Sequence, residues 1–591
     1  MAESTPARIF AQARERGDVP AYYEKDGGTW HPTTWGEYAD QVRQAARALI
    51  TLGIEPGDRV SILGFNRSEW VIFDVGAIAV GAAPAGIYIT SSPAEVQYIL
   101  DHSEAPIILL EDEDQWAKVL EQLPNLPKLK HVVMMRGVAP IDHEIVMSWE
   151  EFMAKGDETP AEKVDERVDA LDPDGMATLI YTSGTTGPPK AVMLSNRNLT
   201  WTTDEAARIG RVTADDCSVS YLPLSHIAEQ LFTIHGPASV GFTIYYAESI
   251  AKLPDNLKEV RPTVVFGVPR IWEKMHAKIS DKLGAATGVK AKLAGWAIGV
   301  GREAMAVKHR GGTPSGWLGI KYSLANKLIF SKIKDAIGFD RARLCVTAAA
   351  PISPAVIEFF TGLDISIQEV YGQSEDTGPA TFNRMENTKI GTVGTKFRGT
   401  EIKIADDQEI LLKGPHVFLG YFKDDVATAE ALIDGWLHTG DCGEVDADGF
   451  LRITGRKKEI IVTSGGKNIT PANIEKKIND HPMVSQSVVI GDARKFLSAI
   501  ITLEPEKKAE WCKANEVDGA TAHENAKLIE EITAHMNEVV NPSFAQPQHV
   551  RKFALLPREF SIEDEELTPT MKIKRRIVNR NWAETIDGIY E

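Results

Sequence analysis

The chain has 591 residues, enough for about four domains of ordinary size or for fewer large ones. With 43% hydrophobic and 25% charged residues, its composition is that of a globular protein with a sizeable core and excludes an intrinsically disordered chain. The net charge of -18 excludes a protein whose whole surface wraps nucleic acid, because such a surface needs clustered Lys and Arg.

Neither the cysteines nor the apolar segments predict an exported or membrane-spanning protein. The first residues mix acids and bases without an apolar stretch, so we expect no secretory signal and a cytoplasmic location. Residues Val75–Ile89 are too few for the ~20 residues of a spanning helix and predict a buried helix followed by a strand. Buried thiols, and neither a disulfide framework nor a zinc site, are expected for Cys217, Cys345, Cys442 and Cys512, which show no CxxC or CxxH spacing.

Short apolar runs rich in β-branched residues recur through the first three quarters of the chain. Each predicts a buried strand; they begin at Arg59, Pro106, His131, Thr178, Thr263 and Arg343. Stretches of helical periodicity lie between them, such as Thr34 to Leu52 with apolar residues at Tyr38, Val42, Ala45 and Leu49. The alternation predicts a layered α/β architecture with helices on both faces of the sheets.

The pattern changes in the last third of the chain. From Gly399 to Phe450, short strands alternate with turn residues, which predicts a small antiparallel or barrel-like subdomain. The remainder predicts a compact unit with strands near 487–490 and 499–503 and helices near 473–479 and 524–540. We therefore expect a large N-terminal domain over residues 1–455 and a small C-terminal domain over residues 456–591.

The stretch from Leu179 to Leu194 carries the strongest chemical pattern. A strand-like run leads into a loop of hydroxyl residues, Gly184, Gly187 and Lys190, whose backbone N–H, O–H and ammonium groups can converge on phosphate oxygens. It is not a Walker A loop, because Pro189 stands where that motif has Gly-Lys-Ser/Thr. The composition predicts a phosphate-binding loop; the alternative is an ordinary polar turn.

Four further segments do not indicate a functional role when each is considered alone. Tyr371-Gly-Gln-Ser-Glu375 reads as a turn with a helix cap, and the DxDG turn at Asp446 and Asp448 as solvated structure, not a calcium site. His226, in Tyr221-Leu-Pro-Leu-Ser-His226, is by itself an ordinary surface or core histidine. The stretch around Lys572 is a solvated basic run.

Together, these segments resemble those of the AMP-forming adenylating enzymes, which include acyl-CoA synthetases, luciferases and peptide-synthetase adenylation domains. The string from Asp434 to Lys458 resembles the signature of fatty acyl-CoA synthetases, and the whole chain is similar to the bubblegum-type long- and very-long-chain members. The resemblance implies a large N-terminal domain of two α/β subdomains plus a small β-barrel-like subdomain, and a small, mobile α+β C-terminal domain.

The resemblance also implies roles for individual residues. Tyr371 would stack on adenine, Asp441 and Arg456 would hold the ribose, and Lys572 would be the adenylation lysine. The implied ATP/AMP-binding positions are Thr182, Ser183, Gly184, Thr185, Thr186, Gly187, Lys190, Tyr371, Gly372, Ser374, Asp441, Arg456 and Lys572. The implied catalytic positions are Lys572, Glu375, His226 and Thr182, with Mg²⁺ at Glu375 and Thr182 and a hinge at Gly455, Arg456, Lys457 and Lys458.

The chain departs from the family pattern at three places. Ala191 stands where glycine is usual, and Thr347-Ala-Ala-Ala-Pro351 replaces Ser-Gly-Gly-Ala-Pro, both small-for-small changes. Gly455 stands where many relatives place a hinge aspartate, which leaves the identity of the hinge residue open, although glycine accepts large changes of φ and ψ.

Three functions are compatible with this sequence. The first is a fatty acid–CoA ligase that uses ATP, Mg²⁺ and CoA and passes through acyl-AMP. The second is an acyl-AMP ligase that loads the pantetheine arm of a carrier protein; the sequence shows no fused carrier domain. The third is an inactive nucleotide- or lipid-binding protein, against which the retention of Lys190, Glu375, Asp441 and Lys572 argues.

One basic stretch stands apart in this acidic chain. Between Lys290 and Lys334 there are nine Lys or Arg and a single acid, Glu303, with apolar residues interleaved. The stretch is compatible with a peripheral membrane surface or with a solvated face packed on the domain.

Overall fold

The computed structural model of the chain describes residues 4–182, 188–462, 468–568 and 571–591. Within these residues the strands form six sheets accompanied by helices, in a large N-terminal domain and a smaller C-terminal one. The predicted α/β class is confirmed. No helix of the described residues is both long and apolar enough to cross a membrane. The four cysteines are buried free thiols, as expected.

The largest sheet positions the predicted phosphate loop. Its strands, in spatial order, are Gly420–Tyr421, Lys190–Ser195, Met176–Thr182, Ala83–Ile87, Arg59–Leu63, Ile107–Leu110, His131–Met134 and Val146–Ser148. The pairs from Met176–Thr182 onward are parallel, whereas Lys190–Ser195 runs antiparallel to Met176–Thr182. The predicted phosphate loop therefore connects two neighbouring antiparallel strands of this sheet.

Two further sheets complete the α/β part of the N-terminal domain. One has the strands Val264–Gly267, Leu344–Thr347, Ile367–Tyr371, Thr381–Phe382 and Thr395–Lys396 in spatial order. The other has Cys217–Ser220, Thr243–Tyr246, Pro20–Asp26 and Thr29–Thr34. The six strands expected from β-branched runs are all present, and the apolar segment after Val75 divides into helix Ser68–Ala79 and strand Ala83–Ile87, as predicted.

The helices of the N-terminal domain follow the predicted periodicity. The expected helix after Thr34 is Trp35–Thr51; Thr34 and Glu37 form a capping box at its start, and its predicted apolar face is buried. The others are Thr5–Arg16, Ser68–Ala79, Pro93–Ser103, Glu113–Gln122, Trp149–Lys155, Glu162–Asp169, Asn196–Gly210, Ile227–Gln230, Gly236–Val240, Leu253–Val260, Pro269–Gly284, Gly288–Lys308, Gly316–Ala325, Ser331–Ile337, Pro354–Gly362 and Asp425–Ala431.

The expected antiparallel subdomain is present, but it is an open sheet. Its strands are Glu401–Ile404, Glu409–Lys413, Trp436–Val445 and Leu432–Ile433 in spatial order, with Leu451–Arg456 also paired to Trp436–Val445. Among the described residues, no pairing joins the first of these strands to the last, so the ladder does not close into a barrel.

The C-terminal domain is α+β, as expected. Its strands are Val484–Ile490, Leu497–Leu503 and Val550–Leu555, with a separate pair Ile461–Val462 and Asn468–Ile469. Its helices are Pro471–Ile478, Pro505–Asn515, Ala526–His535, Arg575–Asn581 and Ala583–Tyr590. Polar contacts to the N-terminal domain include Ser353 to Asp480 (2.9 Å), Arg270 to Ser485 (3.3 Å) and Lys507 to Asp281 (3.0 Å).

Candidate active site

A cleft of about 2970 Å³ is lined by residues of both domains. The described residues that the sequence predicts for the site all line it: Thr182, Lys190, His226, Tyr371, Gly372, Ser374, Glu375, Asp441, Gly455, Arg456, Lys457, Lys458 and Lys572. The remaining predicted positions, Ser183, Gly184, Thr185, Thr186 and Gly187, lie outside the described residues. Residues spread over about 390 positions of sequence, from 182 to 572, thus meet in one concave site.

A hydrogen-bonded group joins Tyr371, Asp441 and Arg456. The Tyr371 hydroxyl donates to Oδ2 of Asp441 over 2.9 Å, and Nε of Arg456 donates to Oδ1 over 3.0 Å. Asp441 and Arg456 face each other on the antiparallel strands Trp436–Val445 and Leu451–Arg456. Burial raises the pKa of Asp441, and the charge of Arg456 opposes that shift. The aspartate is therefore held in one orientation at the wall of the cleft.

The turn between those two strands accounts for the DxDG motif. Oδ1 of Asp446 accepts hydrogen bonds from the backbone N–H groups of Asp448 and Phe450, at 3.0 and 2.9 Å. Oδ2 of Asp446 pairs with Lys389 at 2.5 Å. Asp446 therefore stabilises the hairpin that brings Asp441 opposite Arg456, in agreement with the structural interpretation of this turn.

A second group is formed by Glu375, Tyr421 and Lys190. The Tyr421 hydroxyl donates to Oε1 of Glu375 over 2.8 Å, and Nζ of Lys190 lies 4.6 Å from the centre of the Tyr421 ring. The tyrosine thus contacts both an acidic and a basic side chain that face the cleft.

Tyr421 was not predicted as a site residue from the sequence. The glycine before it is the signal that could have indicated it. Gly420 has a φ of +135°, and a Cβ on it would lie 2.7 Å from Cγ2 of Thr428. Only glycine fits this close approach. The short strand Gly420–Tyr421 pairs with Lys190–Ser195, which places the tyrosine beside the strand that follows the predicted phosphate loop.

His226 faces the cleft as a neutral imidazole. It precedes the short helix Ile227–Gln230, and its Nδ1 accepts a hydrogen bond from the backbone N–H of Ala228 over 3.2 Å. Burial, with a smaller contribution from the charge of Lys572, lowers the pKa of His226 to about 3. Because Nδ1 accepts, the proton of the neutral ring is on Nε2, which leaves that nitrogen as a donor.

Glu229, one helical turn after His226, fixes the position of this segment through buried hydrogen bonds. Its Oε1 accepts hydrogen bonds from the hydroxyls of Ser220 and Thr233, both at 2.8 Å, and its side chain is buried. Burial raises the pKa of Glu229 to about 8. The carboxyl group ties the helix to the end of strand Cys217–Ser220 and so fixes where His226 begins the helix.

Lys572 brings the C-terminal domain to the same cleft. Its backbone N–H donates to Oγ1 of Thr568 over 3.0 Å. Burial, followed by the charge of Arg456, lowers the pKa of Lys572 to about 8, while Asp441 and Glu375 act in the opposite direction. The lysine therefore lies within electrostatic range of both hydrogen-bonded groups described above.

The predicted hinge lies where the two domains join. Gly455 is buried in strand Leu451–Arg456, and a Cβ on it would lie 2.3 Å from Cγ2 of Thr470. Lys457 pairs with Asp407 at 2.6 Å and with Glu409 at 3.0 Å. Gly455 is thus explained here by close packing, not by a left-handed backbone conformation.

One wall of the cleft is apolar. The rings of Phe232 and Phe266 stack at 4.6 Å between centres and both line it. Ala206 on helix Asn196–Gly210 and Val264 and Val346 on neighbouring strands line the same cleft. Such a wall suits an alkyl chain, and it could not be found from sequence because its members come from separate elements.

Comparison with known proteins identifies the family of the chain. Residues 9–422 match the family model described as AMP-binding enzyme, and residues 458–591 match the AMP-binding enzyme C-terminal domain. The chain is 39% identical to the long-chain-fatty-acid–CoA ligase ACSBG2 of Xenopus laevis, over 97% of this chain and 82% of that protein. It is 37% identical to the long-chain-fatty-acid–CoA ligase FadD15 of Mycobacterium tuberculosis, over 100% and 97% of the two chains.

Solved structures share the fold at lower identity. An anthranilate CoA ligase, AuaEII, in complex with anthranoyl-AMP superposes with a TM-score of 0.73 at 21% identity, over 99% of this chain and 98% of that one. A fatty acyl CoA synthetase of Mycobacterium tuberculosis superposes with a TM-score of 0.62 at 20% identity, over 99% of each chain. The resemblance to bubblegum-type acyl-CoA synthetases is confirmed, and the chain belongs to the AMP-binding enzyme family.

Proposed function

We propose that the protein is a long-chain fatty acid–CoA ligase that works in two steps. ATP and a fatty acid give acyl-AMP and pyrophosphate, and CoA then displaces AMP to give acyl-CoA. The observation that carries the proposal is a single cleft in which charged groups around Asp441, Glu375 and Lys572 are joined to an apolar wall at Phe232 and Phe266. One cleft can therefore hold a nucleotide and an alkyl chain together.

The nucleotide would bind along the two hydrogen-bonded groups. Asp441, fixed by Tyr371 and Arg456, offers carboxylate oxygens to the ribose hydroxyls, and the Tyr371 ring offers a face to adenine. Lys190 and the hydroxyl and backbone groups of residues 182–187, together with Ser374, would hold the phosphates. Apart from the stacking of adenine on Tyr371, each of these assignments gives a polar group of this chain to a polar group of ATP.

Mg²⁺ would bind beside Glu375, with the hydroxyl of Thr182 as a further oxygen. Among the described residues, no cluster of three or more His, Cys, Asp or Glu could hold a metal. A single carboxylate suits Mg²⁺, which usually binds through one or two carboxylates, water and substrate phosphates. The bound ion would neutralise phosphate charge during attack by the fatty acid carboxylate.

Lys572 and His226 would act at the reacting groups in the first step. The carboxylate of the fatty acid attacks the α-phosphate, so two anions must approach each other. A protonated Lys572 stabilises the negative charge that develops there, in a partly dehydrated site where such a charge is worth more than in water. His226 offers its Nε2–H as a neutral donor to the acyl carboxylate or to the mixed anhydride.

We further propose that the two domains, 1–455 and 456–591, change their relative orientation between the steps about residues Gly455–Lys458. Lys572 faces the cleft in the arrangement observed here, which suits adenylation. Rotation would withdraw it and open a path for CoA. A peripheral contact with a membrane also belongs to this proposal, because long-chain fatty acids partition into lipid.

The purified protein with ATP, Mg²⁺ and palmitate, supplied with either CoA or a carrier protein bearing pantetheine, tests the proposal. We expect AMP and palmitoyl-CoA in equal amounts with CoA. Thioester formed only on the carrier would show that the acceptor is the carrier protein and not free CoA. If the protein binds ATP but forms no AMP with either acceptor, the ligase proposal is wrong and the protein is an inactive nucleotide-binding protein.

A further inference from the structure

The helical segment from Gly316 to Ile337 carries an exposed apolar stripe. Trp317 is 69% exposed, Ile320 60% and Leu324 48%. Their spacing of three and four residues puts them on one face of helix Gly316–Ala325. The face with Leu318, Tyr322 and Ala325 packs instead with Ala297, Val300 and Phe330, so the stripe points away from the domain core.

Three lysines on the helical segment of the stripe form no ion pair with a described residue. They are Lys321, Lys327 and Lys332. Lys327 and Lys332 are exposed, and Lys321 is partly exposed.

Two other lysines of the stretch have a structural role. Lys308 and Lys334 pair with Asp364 at 2.6 and 2.5 Å, and the Asp364 side chain is buried. The basic stretch is therefore divided: one part holds the helices to the domain, and the other remains available for a partner.

We propose that the face formed by Trp317, Ile320 and Leu324, with the three lysines of the same helical segment, binds an anionic lipid bilayer. An indole and two aliphatic side chains on one helix face fit the boundary between headgroups and acyl chains, and lysines beside them attract anionic headgroups. The protein as a whole is acidic, with a net charge of -18, and is repelled by such a surface, so a local basic patch is needed for approach.

The position of this face relates it to the cleft. Helix Pro269–Gly284 lines the cleft, and the next helix along the chain, Gly288–Lys308, packs against the stripe helix. A bilayer bound there would be joined to the cleft by consecutive helices. The inference rests on the proposed function only in that a lipid surface is a source of fatty acids; binding itself does not require ligase activity.

Co-sedimentation of the full chain with vesicles tests the inference. We expect binding to vesicles of phosphatidylcholine with phosphatidylglycerol, and much weaker binding to phosphatidylcholine alone or at high salt. The variant Trp317→Ser/Ile320→Ser/Leu324→Ser should bind at least ~10-fold more weakly, since each change removes apolar side-chain area that would be buried in the bilayer. Lys321→Glu/Lys327→Glu/Lys332→Glu should bind anionic vesicles on the order of 100-fold more weakly.

A matched control removes exposed apolar side chains elsewhere. Leu120→Ser/Ile529→Ser/Val539→Ser changes residues that are 37–45% exposed and lie outside the stripe, so it should bind as the wild type does. Since all substituted positions are partly or fully solvent-exposed, unchanged thermal unfolding is expected and verifies folding. Ligase activity on octanoate without vesicles should also be the same in all variants.

Three results would overturn the inference. They are no binding of the wild type to anionic vesicles, equal binding of all variants, and a wild-type dimer that the stripe variant dissociates in sedimentation velocity without any vesicle binding. The last would identify the stripe as a contact between copies of the chain. Vesicle binding by a protein that forms no AMP would reject the ligase proposal and leave this inference intact.

Discussion

Gly455 and Thr470 are in direct contact across the joint between the two domains. A Cβ on Gly455 would lie 2.3 Å from Cγ2 of Thr470, a distance that requires a neighbouring atom to move, and 3.1 Å from its Oγ1. The contact belongs to the arrangement in which Lys572 faces the cleft. A side chain at residue 455 should therefore disfavour this arrangement more than one in which Thr470 has moved away.

Gly455→Ala should slow formation of acyl-AMP by about 10- to 100-fold, because overpacking costs ~1–3 kcal/mol. Thioester formation from supplied acyl-AMP and CoA should remain near wild type. The double variant Gly455→Ala/Thr470→Ala, which removes the two closest atoms, should recover most of the adenylation rate. Equal loss in both half-reactions, with no recovery in the double variant, would show that the contact is purely structural.

Lys572→Ala should lose acyl-AMP formation from ATP by at least ~100-fold, because the charge is needed only in that transition state. The same variant should convert supplied acyl-AMP and CoA to thioester at a rate near wild type. Lys574→Ala is the control for a nearby positive charge, since its side chain is not among those that line the cleft; it should be mild in both assays. A parallel fall of both half-reactions in Lys572→Ala would contradict either the alternation or the choice of lysine.

Adenylation should also depend on pH through Lys572. Its pKa is lowered to about 8 from an ordinary value of 10.5, so the ammonium loses its proton as pH rises through about 8. We expect kcat/KM for ATP to fall above that pH, since this parameter reports ionisation of the free enzyme. In Lys572→Arg the alkaline limb should be absent, because a guanidinium stays charged. An unchanged limb in that variant would assign it to another group.

Burial of Lys572 also makes the free energy of unfolding depend on pH. A lysine whose pKa is lower in the folded protein releases its proton more easily there than in the unfolded chain. Between about pH 8 and 10.5 the unfolded chain binds more protons at this site, so the contribution of Lys572 to the free energy of unfolding rises with pH in that window. Lys572→Met should remove this dependence in urea titrations at several pH values.

Glu375→Gln should depress pyrophosphate exchange and raise the Mg²⁺ concentration needed for half-maximal rate, because the lost charge weakens metal binding beside the triphosphate. Tyr421→Phe keeps the ring near Lys190 but removes the 2.8 Å hydrogen bond to Glu375. We expect it to lower the rate about 10-fold, the effect of one hydrogen bond to a charged group. Wild-type Mg²⁺ dependence in both variants would exclude Glu375 as a metal ligand.

Ala206→Phe should shift the acyl preference to shorter chains. Ala206 lines the cleft and packs beside the apolar cluster that contains Phe266. A phenyl ring there would fill space that a long alkyl chain needs, so kcat/KM for palmitate should fall at least ~10-fold while octanoate is little affected. Equal loss for both acids would indicate that the wall does not hold the distal part of the chain.

Local patterns in the sequence were sufficient to predict the secondary-structure elements, and the family resemblance implied the polar residues that line the cleft. Strand runs and the helix after Thr34 depend on side chains of neighbouring residues, whose period reveals which face is buried. Asp441 and Arg456 are only 15 residues apart, and the DxDG turn between them sets their pairing. Such contacts are specified within one hairpin and can be read along the chain.

Tertiary structure alone decided the contacts between distant elements. Tyr421 meets Glu375 from 46 residues away, and Gly455 meets Thr470 only because the C-terminal domain packs where it does. The apolar wall, the open form of the antiparallel sheet and the exposed face of Trp317 depend likewise on which surfaces become neighbours. Sequence periodicity gives the buried side of an element but not its partner, because burial depends on removing area from water and many partners remove it equally well.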